Sequence, residues 1–336
     1  MMMKKILLGH GSGGKLMHSL IKDVLVKHLA NPYLNTLSDA SIVKVGGKKI
    51  AFTTDSFVVK PLFFPGSDIG KLAVYGTVND LSVMGAMPYY ISCAIIVEEG
   101  FEIKKLERIT RSLQEAAKRA RVHITTGDFK VVEKGSCDGI FINTAGIGEV
   151  LSGIDLRMSN IKPSDKIIIN GPVGEHGIAV MKERMQLDFD FSVKSDCAPL
   201  RDLVAPLFKI KSAVKFMRDP TRGGLATTLN EITDHNNLGI MLEEKSIPIT
   251  PSVRAACEIL GLDPLYIANE GKVIVVVAKD KAPAVLALLR RHPLGKKAAI
   301  IGEVVRAPRG KVCLNTRSGG VRIVDMLTSD PLPRIC

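Results

Sequence analysis

The sequence contains no tryptophan, and aromatic residues make up only 5% of its 336 residues. Single-stranded nucleic acids are commonly bound by aromatic side chains that stack on the bases. The net charge of +12 would suit a polyanion, but the basic residues are dispersed over 104–121, 209–215 and 290–297 without interleaved aromatic residues. We therefore predict no nucleic-acid binding, and a positive charge that favours acidic proteins or phosphate-bearing substrates.

Cysteine is scarce and has neither the paired spacing of a zinc site nor a disulfide framework. The cysteines are Cys93, Cys137, Cys197, Cys257, Cys313 and Cys336. No apolar run is long enough to cross a bilayer. The apolar start at residues 3–8 ends at Gly9-His10-Gly11 and is interpreted as a short strand, not a signal peptide. We expect a protein of the reducing cytoplasm with no membrane partner.

The chain length predicts two domains, each large enough for its own hydrophobic core. Near residues 152–164 the apolar periodicity lapses and turn-forming residues accumulate. We predict an amino-terminal domain over 1–155, a carboxy-terminal domain over 156–327 and a mobile tail over 328–336. Helices and strands are mixed in both halves, which indicates an α/β or α+β fold without short repeats.

Hydrophobic periodicity locates the individual elements. Helices are predicted over 14–30, 68–85, 104–121, 223–234, 253–260 and 282–291. Strands are predicted over 49–56, 90–97, 122–126, 139–145, 166–170, 272–278 and 298–305.

The glycine-rich start Gly9-His10-Gly11-Ser12-Gly13-Gly14 opens a predicted helix. It formally fits the dinucleotide fingerprint, and glycines at a helix start let phosphate approach free N–H groups. The expected crossover to a second parallel strand is missing, because Asn31-Pro32-Tyr33-Leu34-Asn35 intervenes. We therefore favour a flexible flap over phosphates. Residues 66–71 lack the glycine spacing and the hydroxyl residue of a P-loop, and we reject that motif.

Four aspartates of the first half form a more informative pattern, and one of them, Asp80, lies inside a predicted helix. They are Asp39, Asp55, Asp80 and Asp128. Caps and turns explain most single aspartates, but Asp80 interrupts an otherwise apolar helix, where an unpaired carboxylate is costly. Oxygen ligands without cysteine or histidine suit Mg²⁺, especially when nucleotide phosphates complete its shell. The pattern therefore predicts a magnesium–nucleotide site.

The second half adds Arg218-Asp219-Pro220-Thr221-Arg222-Gly223-Gly224, in which Asp219 can cap the next helix. Glu270 precedes an apolar strand, where a carboxylate is either a catalytic base or a solvated turn. Lys130 follows Asp128 by two residues and either places a cation beside phosphate or is a surface lysine.

The sequence ends in Thr328-Ser329-Asp330-Pro331-Leu332-Pro333-Arg334-Ile335-Cys336, whose two prolines disfavour helix. Fully extended, this arm reaches roughly 25 Å at about 3.3 Å per residue. A thiol on such an arm can carry a small group between active sites, whereas the alternative is an ordinary residue on a frayed terminus. The choice depends on whether the rest of the chain performs nucleotide chemistry.

Together these segments resemble the HypE family of hydrogenase maturation carbamoyl dehydratases, in the PurM-like superfamily typified by aminoimidazole ribonucleotide synthetase. The resemblance covers the whole length. It rests on His10-Gly11-Ser12-Gly13-Gly14, Lys60-Pro61-Leu62-Phe63-Phe64-Pro65-Gly66, Gly127-Asp128, Lys130-Val131-Val132, Asp219 to Gly223, Asn269-Glu270-Gly271-Lys272 and Pro333-Arg334-Ile335-Cys336. The last motif is the most specific, because sister families with the same fold lack it. Phe129 stands where the family usually has threonine, a departure limited to one hydroxyl contact.

The resemblance implies an amino-terminal α/β domain that dimerises through its strands, a carboxy-terminal α+β domain, and ATP in the cleft between them. A carbamoyltransferase, HypF, would load a carbamoyl group onto Cys336. ATP would then drive dehydration of the thiocarboxamide to a protein thiocyanate. The cyano group would pass to iron on a HypC–HypD complex during assembly of the [NiFe]-hydrogenase centre.

The resemblance also implies roles for individual residues. Magnesium and phosphate contacts fall to Asp39, Asp55, Asp80 and Asp219. Nucleotide contacts fall to His10, Gly11, Gly13, Gly14, Asn79 and Asp128. Catalytic roles fall to Lys130 at the transferred phosphoryl group, Glu270 as base and Cys336 as the residue that bears the substrate.

Three alternatives remain open from sequence. The first is another ATP-dependent enzyme of the superfamily that acts on a free substrate, with Cys336 incidental. The second is a nicotinamide oxidoreductase that uses the glycine-rich start. The third is a non-catalytic protein whose tail docks onto a partner.

Overall fold

The computed structural model describes residues 5–186, 192–210, 212–329 and 332–336. Two mixed sheets, one in each half of the chain, form the framework. The first sheet ends at Val150 and the second begins at Lys166. Over the described ranges, every helix is too short or too polar to cross a membrane.

The first sheet has five strands in the order β1-β2-β7-β5-β6. Its strands are β1 Ser41–Val45, β2 Lys48–Phe57, β5 Ala86–Glu98, β6 His123–Val132 and β7 Ile140–Val150, and a separate hairpin is formed by β3 Phe63–Phe64 and β4 Ser67–Asp68. β5 and β6 are parallel, whereas β1, β2, β7 and β5 pair antiparallel. The two long helices of this half are α3, Ile69–Val83, and α4, Ile103–Ala120.

Helix α3 is buried along almost its whole length, which explains why its sequence is apolar on all sides. Asp68 caps its start, because the Asp68 Oδ1 atom accepts hydrogen bonds from the backbone N–H groups of Gly70 and Lys71. The second carboxylate oxygen accepts a hydrogen bond from Ser112 of α4 at 2.6 Å. This shared cap fixes α3 and α4 on the same face of the sheet.

The opposite face of the first sheet carries exposed apolar side chains in the single chain. Phe52, Ile147 and Tyr90 lie side by side across β2, β7 and β5, and each is more than 40% exposed. Ile96 extends this apolar surface along β5. Side chains that pair in register lie on the same face. These residues therefore form one exposed apolar sheet face.

The second sheet has seven strands in the order β14-β13-β10-β12-β8-β11-β9. Its strands are β8 Lys166–Ile169, β9 Val214–Arg218, β10 Gly239–Glu243, β11 Ile274–Val277, β12 Ala299–Val305, β13 Val312–Asn315 and β14 Val321–Ile323. The helices of this half are α5 Glu175–Met185, α6 Arg201–Val204, α7 Gly224–Asn236, α8 Pro251–Leu260 and α9 Ala282–Arg290. Both faces of the central strands β8 and β11 are buried, and apart from Lys166 at the start of β8 their residues are all apolar.

The amino-terminal segment is helical, and its start is hydrogen-bonded to the residues at which the carboxy-terminal tail begins. The first helical region comprises α1 Lys15–Leu20, a π-helical turn over Ile21–Val26 and α2 Lys27–Leu29, which confirms the helix predicted over 14–30. Short 3₁₀ turns occur at Leu8–Gly11, Leu34–Thr36, Met158–Asn160, Ala205–Lys209, Glu244–Ser246, Pro264–Tyr266, Lys279–Lys281 and Pro293–Gly295. The strand predicted over 3–8 is wrong for the described part, residues 5–8; residues 3 and 4 lie outside the described ranges.

One apolar cluster joins the first domain to the second and to the carboxy-terminal segment. It includes Val59 of the first half, Ile178 of α5, and Leu332 and Ile335 near the end of the chain. Leu332 is 5% exposed and Ile335 is 1% exposed. The end of the chain is therefore packed as part of the core in this structure. Asp330 and Pro331 of the predicted tail lie outside the described residues.

Candidate active site

Three of the predicted aspartates meet between the two domains. Asp39 precedes β1, Asp80 lies on α3 and Asp219 follows β9, and one carboxylate oxygen from each lies within 4.8 Å of the others. Asp55 on β2 is hydrogen-bonded to Asp80. The hydroxyl of Thr53 lies 2.8 Å from Asp80 Oδ2 and 2.7 Å from the carbonyl oxygen of Asp39. The fold therefore builds an acidic cluster, defined by Asp39, Asp55, Asp80 and Asp219.

The protein holds this acidic cluster at an electrostatic cost. Burial is the main reason why the pKa of Asp39 is raised to about 6 and that of Asp219 to about 8; nearby carboxylates contribute to both shifts, and Arg218 opposes them. Burial followed by the negative charges of Asp55 and Asp219 raises the pKa of Asp80 well above its usual value. Burial also raises the pKa of Asp55. A divalent cation would offset this repulsion, and an all-oxygen donor set suits Mg²⁺.

Arg218 is the protein's own counter-ion for the acidic cluster. Its Nε atom lies 2.9 Å from Asp39 Oδ1, and its Nη1 atom lies 2.9 Å from Glu231 Oε2. His18 of α1 contacts the other oxygen of Glu231 at 3.1 Å. This network ties the amino-terminal helix to the acidic cluster.

A cavity of about 1140 Å³ opens over the acidic cluster. Its lining includes all four aspartates of the cluster together with Gly13, Arg222, Glu270 and Cys336. The negative charge at Cys336 is the largest cause that raises the pKa of Arg222, and Asp55 adds to it against the effect of burial. Cys336 therefore shares one cavity with the residues expected to hold metal and phosphate.

Glu270 reaches the same cavity from the loop before β11. It is 3% exposed, and its Oε1 atom has no hydrogen-bond partner among the described residues. Burial, then the negative charges of Asp219 and Asp196, raise its pKa well above the usual value for glutamate. A buried carboxyl with a raised pKa binds a proton more readily than an ordinary glutamate, which suits the role of a proton acceptor.

A buried ion pair between Asp196 and Lys272 holds the backbone at Glu270 in place. Asp196 accepts hydrogen bonds from the backbone N–H groups of Glu270 and Gly271 at 3.1 and 3.2 Å. Lys272 donates to Asp196 at 2.8 Å and lies 3.3 Å from Glu175. Burial would raise the pKa of Asp196, but the charge and hydrogen bond of Lys272 lower it overall, so this group stays charged.

Two predicted site residues lie away from this cavity in the single chain. Asp128 and Lys130 form an exposed ion pair of 2.8 Å on the edge strand β6. They pair in register with Ala94 and Ile96 and so lie on the exposed apolar sheet face. β7 and β5 separate them from β2, a gap of roughly 14 Å at about 4.8 Å per strand.

Asn79, predicted to contact nucleotide, is buried and bonded within the protein. Its amide nitrogen lies 3.1 Å from the carbonyl oxygen of Ala198 and 3.3 Å from that of Glu270. Its side-chain oxygen accepts a hydrogen bond from the backbone N–H of Leu200 at 2.8 Å. Asn79 therefore makes its hydrogen bonds within the protein, where it supports the loop that carries Glu270.

The glycine-rich start lies beside the site, and its glycines allow close packing within the protein. Gly13 has a φ of +89°, and a Cβ there would lie 2.7 Å from the Cβ of Arg222. A Cβ on Gly14 would lie 2.6 Å from the carbonyl oxygen of Leu327. The carbonyl of Gly11 accepts a hydrogen bond from Arg222 at 3.2 Å. His10 is buried, and its Nδ1 atom accepts a hydrogen bond from the backbone N–H of Leu7 at 2.9 Å.

Sequence reasoning did not single out four residues that contact the acidic cluster, its cavity or the carboxy-terminal segment. They are His176, Arg184, Arg218 and Arg222. The arginines at 218 and 222 flank the Asp219-Pro220 motif, and two cations around one aspartate could have indicated an anion site. His176 and Arg184 carry no comparable local signal, because their partners are about 150 residues away in sequence.

Comparisons with known proteins agree with this architecture. The amino-terminal domain model of the AIR synthase related proteins matches residues 37–150, and the carboxy-terminal domain model matches residues 162–315. The carbamoyl dehydratase HypE of Rhizobium leguminosarum bv. viciae is 50% identical over 333 residues, covering 99% of this chain and 95% of that protein. The carbamoyl dehydratase HypE of Escherichia coli (strain K12) is 43% identical over 339 residues, covering 99% of this chain and all of that protein.

Solved structures give the same result. HypE in a HypE–HypF complex superposes with a TM-score of 0.88 at 48% identity, covering 92% of this chain and all of that chain. HypE in complex with ATP superposes with a TM-score of 0.83 at 47% identity, covering 99% of this chain and all of that chain. The protein therefore has the two-domain PurM-like fold predicted from sequence, and it belongs to the HypE family of carbamoyl dehydratases, among the AIR synthase related proteins.

Proposed function

We propose that the protein uses ATP to dehydrate a carboxamide carried on the Cys336 thiol to a thiocyanate, which supplies a cyanide ligand for the iron centre of [NiFe]-hydrogenase. The observation that carries this proposal is the shared cavity: Cys336 lines the same space as the acidic cluster and Glu270. A substrate attached to Cys336 would therefore lie near the groups that hold ATP.

Relatives support both the nucleotide and the loading enzyme. A protein 47% identical to this chain has been solved as HypE in complex with ATP. A protein 48% identical has been solved in a HypE–HypF complex. We infer that this chain binds ATP and receives its carbamoyl group from a HypF-type carbamoyltransferase, and that it delivers cyanide to a HypC–HypD complex in the cytoplasm.

The acidic cluster would hold Mg²⁺ beside the triphosphate. Asp39, Asp80 and Asp219 offer three oxygens within 4.8 Å of one another, and Asp55 adjoins Asp80. Magnesium bound there would neutralise charge on the phosphates as the γ-phosphoryl group is transferred. Arg222, which lines the same cavity, would provide a fixed positive charge for the same phosphate oxygens.

The reaction then needs two bond changes. First, the carboxamide oxygen attacks the γ-phosphorus of ATP, the bond to the ADP oxygen breaks, and a poor leaving group becomes a phosphate ester. Second, the nitrogen loses two protons while the C–O bond breaks, which releases phosphate and leaves S–C≡N. Glu270 accepts one of these protons, and the departing phosphate can take the other. Positioning and charge neutralisation provide most of the catalysis in the first step.

We further propose a homodimer formed through the exposed apolar sheet face. This face carries Phe52, Tyr90, Ile96 and Ile147, each more than 40% exposed in the single chain. A continuous apolar patch of this kind commonly marks a protein–protein interface. Because Lys130 lies on the same face and far from its own acidic cluster, it can stabilise a transferred phosphoryl group only at the site of a second copy.

The carrier role also requires that the tail, predicted to be mobile over 328–336, release Cys336 from the cavity so that it can reach the loading enzyme. The docked position seen here would then be the one in which dehydration occurs. The proposed domains remain 1–155 and 156–327 on either side of the cavity.

Mass spectrometry of the carboxy-terminal peptide tests the proposal. The protein is incubated with the carbamoyltransferase, carbamoyl phosphate and ATP, and a thiocyanate adduct on Cys336 is the expected product. Deletion of Cys336 should abolish the adduct but preserve ATP binding. Full product formation by the deletion variant would favour an enzyme that acts on a free substrate. Absence of ATP turnover under every loading condition would favour a non-catalytic protein.

A further inference from the structure

Helix α5, Glu175–Met185, contacts the carboxy-terminal segment at both of its ends. His176 lies in its first turn and Arg184 in its last turn. Both side chains bond to backbone carbonyls of the residues that immediately precede Cys336. Because these contacts reach backbone carbonyls and not tail side chains, they fix which tail residue lies opposite each donor, which is the register of the segment.

Arg184 joins three carbonyl oxygens. Its Nε atom donates to Lys60 at 2.8 Å, Nη1 donates to Pro333 at 2.9 Å and Nη2 donates to Arg334 at 2.7 Å. The guanidinium is planar and its donors point in fixed directions. Simultaneous bonding to consecutive tail carbonyls therefore defines both the position and the direction of the segment.

His176 contacts the next carbonyl along the tail, that of Ile335. Its Nε2 atom lies 2.8 Å from the carbonyl oxygen of Ile335, which can only accept a hydrogen bond. Burial lowers the pKa of His176, so the ring is neutral and carries its proton on Nε2. Nδ1 must then accept from the hydroxyl of Ser195 at 2.9 Å, and that hydroxyl accepts from the backbone N–H of Cys197 at 3.1 Å. The tautomer is thereby fixed.

The other edge of the segment is held by the first domain. The backbone N–H of Val58 donates to the carbonyl of Cys336 at 3.1 Å, and Arg334 Nε donates to the carbonyl of Val58 at 2.9 Å. Arg334 also forms an ion pair with Asp138. The tail thus lies between α5 on one side and the segment after β2 on the other.

We propose that Arg184 and His176 are positioning residues that set the register of residues 333–335 and so hold Cys336 in the catalytic cavity. The inference rests on the proposed function for its catalytic consequence, but the docking itself is independent of it. A shift of one residue would misalign all three carbonyls with their donors. The two residues therefore select which position of the tail presents its side chain to the acidic cluster.

The two steps of the proposed cycle need the tail in different positions. Loading by the carbamoyltransferase needs the tail outside the cavity, whereas dehydration needs it inside. Loss of a positioning residue should therefore slow conversion of loaded Cys336 to thiocyanate without slowing the loading step. A residue needed only for general stability would impair both steps together.

The test uses the full-length protein with Arg184→Ala and, as a milder variant that keeps the charge, Arg184→Lys. The first readout is the rate at which iodoacetamide alkylates Cys336, followed by mass spectrometry with Cys137 as the reference thiol in the same sample. We expect about a tenfold faster rate for Arg184→Ala, the order of effect expected for a lost hydrogen-bonding group. Arg184→Lys should lie between this variant and the wild type.

The second readout is single-turnover conversion of Cys336 that has already been loaded. We expect at least a tenfold slower conversion in Arg184→Ala, with ATP affinity unchanged. Arg111→Ala, an exposed arginine of α4, is the matched control and should behave as the wild type in both assays. The proposal is overturned if either readout for Arg184→Ala equals the wild-type value. If wild-type protein never forms thiocyanate, the proposed function fails, and the alkylation rates still judge the docking contacts.

Discussion

The Nε atom of Arg218 lies 2.9 Å from the Oδ1 atom of Asp39, so one arginine neutralises part of the negative charge of the acidic cluster. The same guanidinium binds Glu231, and both Arg218 and Glu231 side chains are only 17% exposed. Removal of one partner from a buried pair leaves the other charge uncompensated.

We expect Arg218→Leu to lower the free energy of unfolding by about 3 kcal/mol, because Asp39 and Glu231 lose their shared counter-ion. Urea unfolding followed by circular dichroism measures the change. Lys48→Leu is the control, since its pair with Glu149 is largely exposed and should contribute no more than about 1 kcal/mol. Equal losses in the two variants would contradict the structural role of Arg218.

Asp80→Asn should weaken Mg–ATP binding by about tenfold or more while the fold is retained, because one metal ligand loses its charge. Isothermal titration calorimetry with and without Mg²⁺ separates the metal contribution from the nucleotide contribution. Asp280→Asn, whose side chain is 71% exposed on the surface, is the matched control. Normal nucleotide affinity in Asp80→Asn would remove this residue from the site.

Stability of the metal-free protein should fall as the pH rises from 5 to 9. Asp39 and Asp219 have folded-state pKa values of about 6 and about 8, above the ordinary value of 3.8, so the folded protein binds more protons than the unfolded chain in this range. The stabilisation is complete below pH 3.8 and is lost as the pH passes each folded-state pKa.

Urea midpoints at several pH values measure this slope. Asp219→Asn should flatten the part of the slope above pH 6, because the group that titrates near 8 is gone. Added Mg²⁺ should restore stability most strongly at high pH, where the carboxylates are charged. A midpoint that rises with pH in the metal-free protein would contradict the electrostatic description of the acidic cluster.

Glu270→Gln should keep ATP binding but slow thiocyanate formation by about 10²- to 10⁴-fold, the usual contribution of a general base. The fold should tolerate the change, because glutamine has nearly the same size and shape as glutamate. Carbamoylated Cys336 should accumulate and be visible by mass spectrometry. Glu133→Gln, at an exposed position, should convert the adduct at the wild-type rate.

Ile147→Asp should convert the proposed dimer to monomer, because a charge between Phe52 and Tyr90 on the exposed apolar sheet face would be buried without a partner. Light scattering coupled to size exclusion gives the mass directly. Ile259→Asp is the control, because Ile259 is also highly exposed but lies on α8, away from this face. A single-chain mass for the wild type would exclude the dimer altogether.

Much of the fold could be predicted from sequence because its signals are local. The apolar run in α3, the amphipathic α4 and the predominantly apolar strands β8 and β11 each reflect one environment along the element. The start at residues 5–8 shows the limit of such signals. Its apolar residues predicted a strand, but without a neighbouring strand to pair with, the chain forms a 3₁₀ turn at Leu8–Gly11.

The sequence by itself determined the chemistry: carboxylates without histidine or paired cysteine, a glycine-rich start and a cysteine on an extended arm. Tertiary structure alone decided which of these groups meet. It joined Asp39, Asp80 and Asp219 from three distant elements, set Cys336 in their cavity, and left Lys130 on an exposed strand. The physical reason is that the hydrophobic pattern of a helix or strand can be seen in its own residues. Charge pairing and burial, by contrast, depend on contacts between residues far apart in the chain.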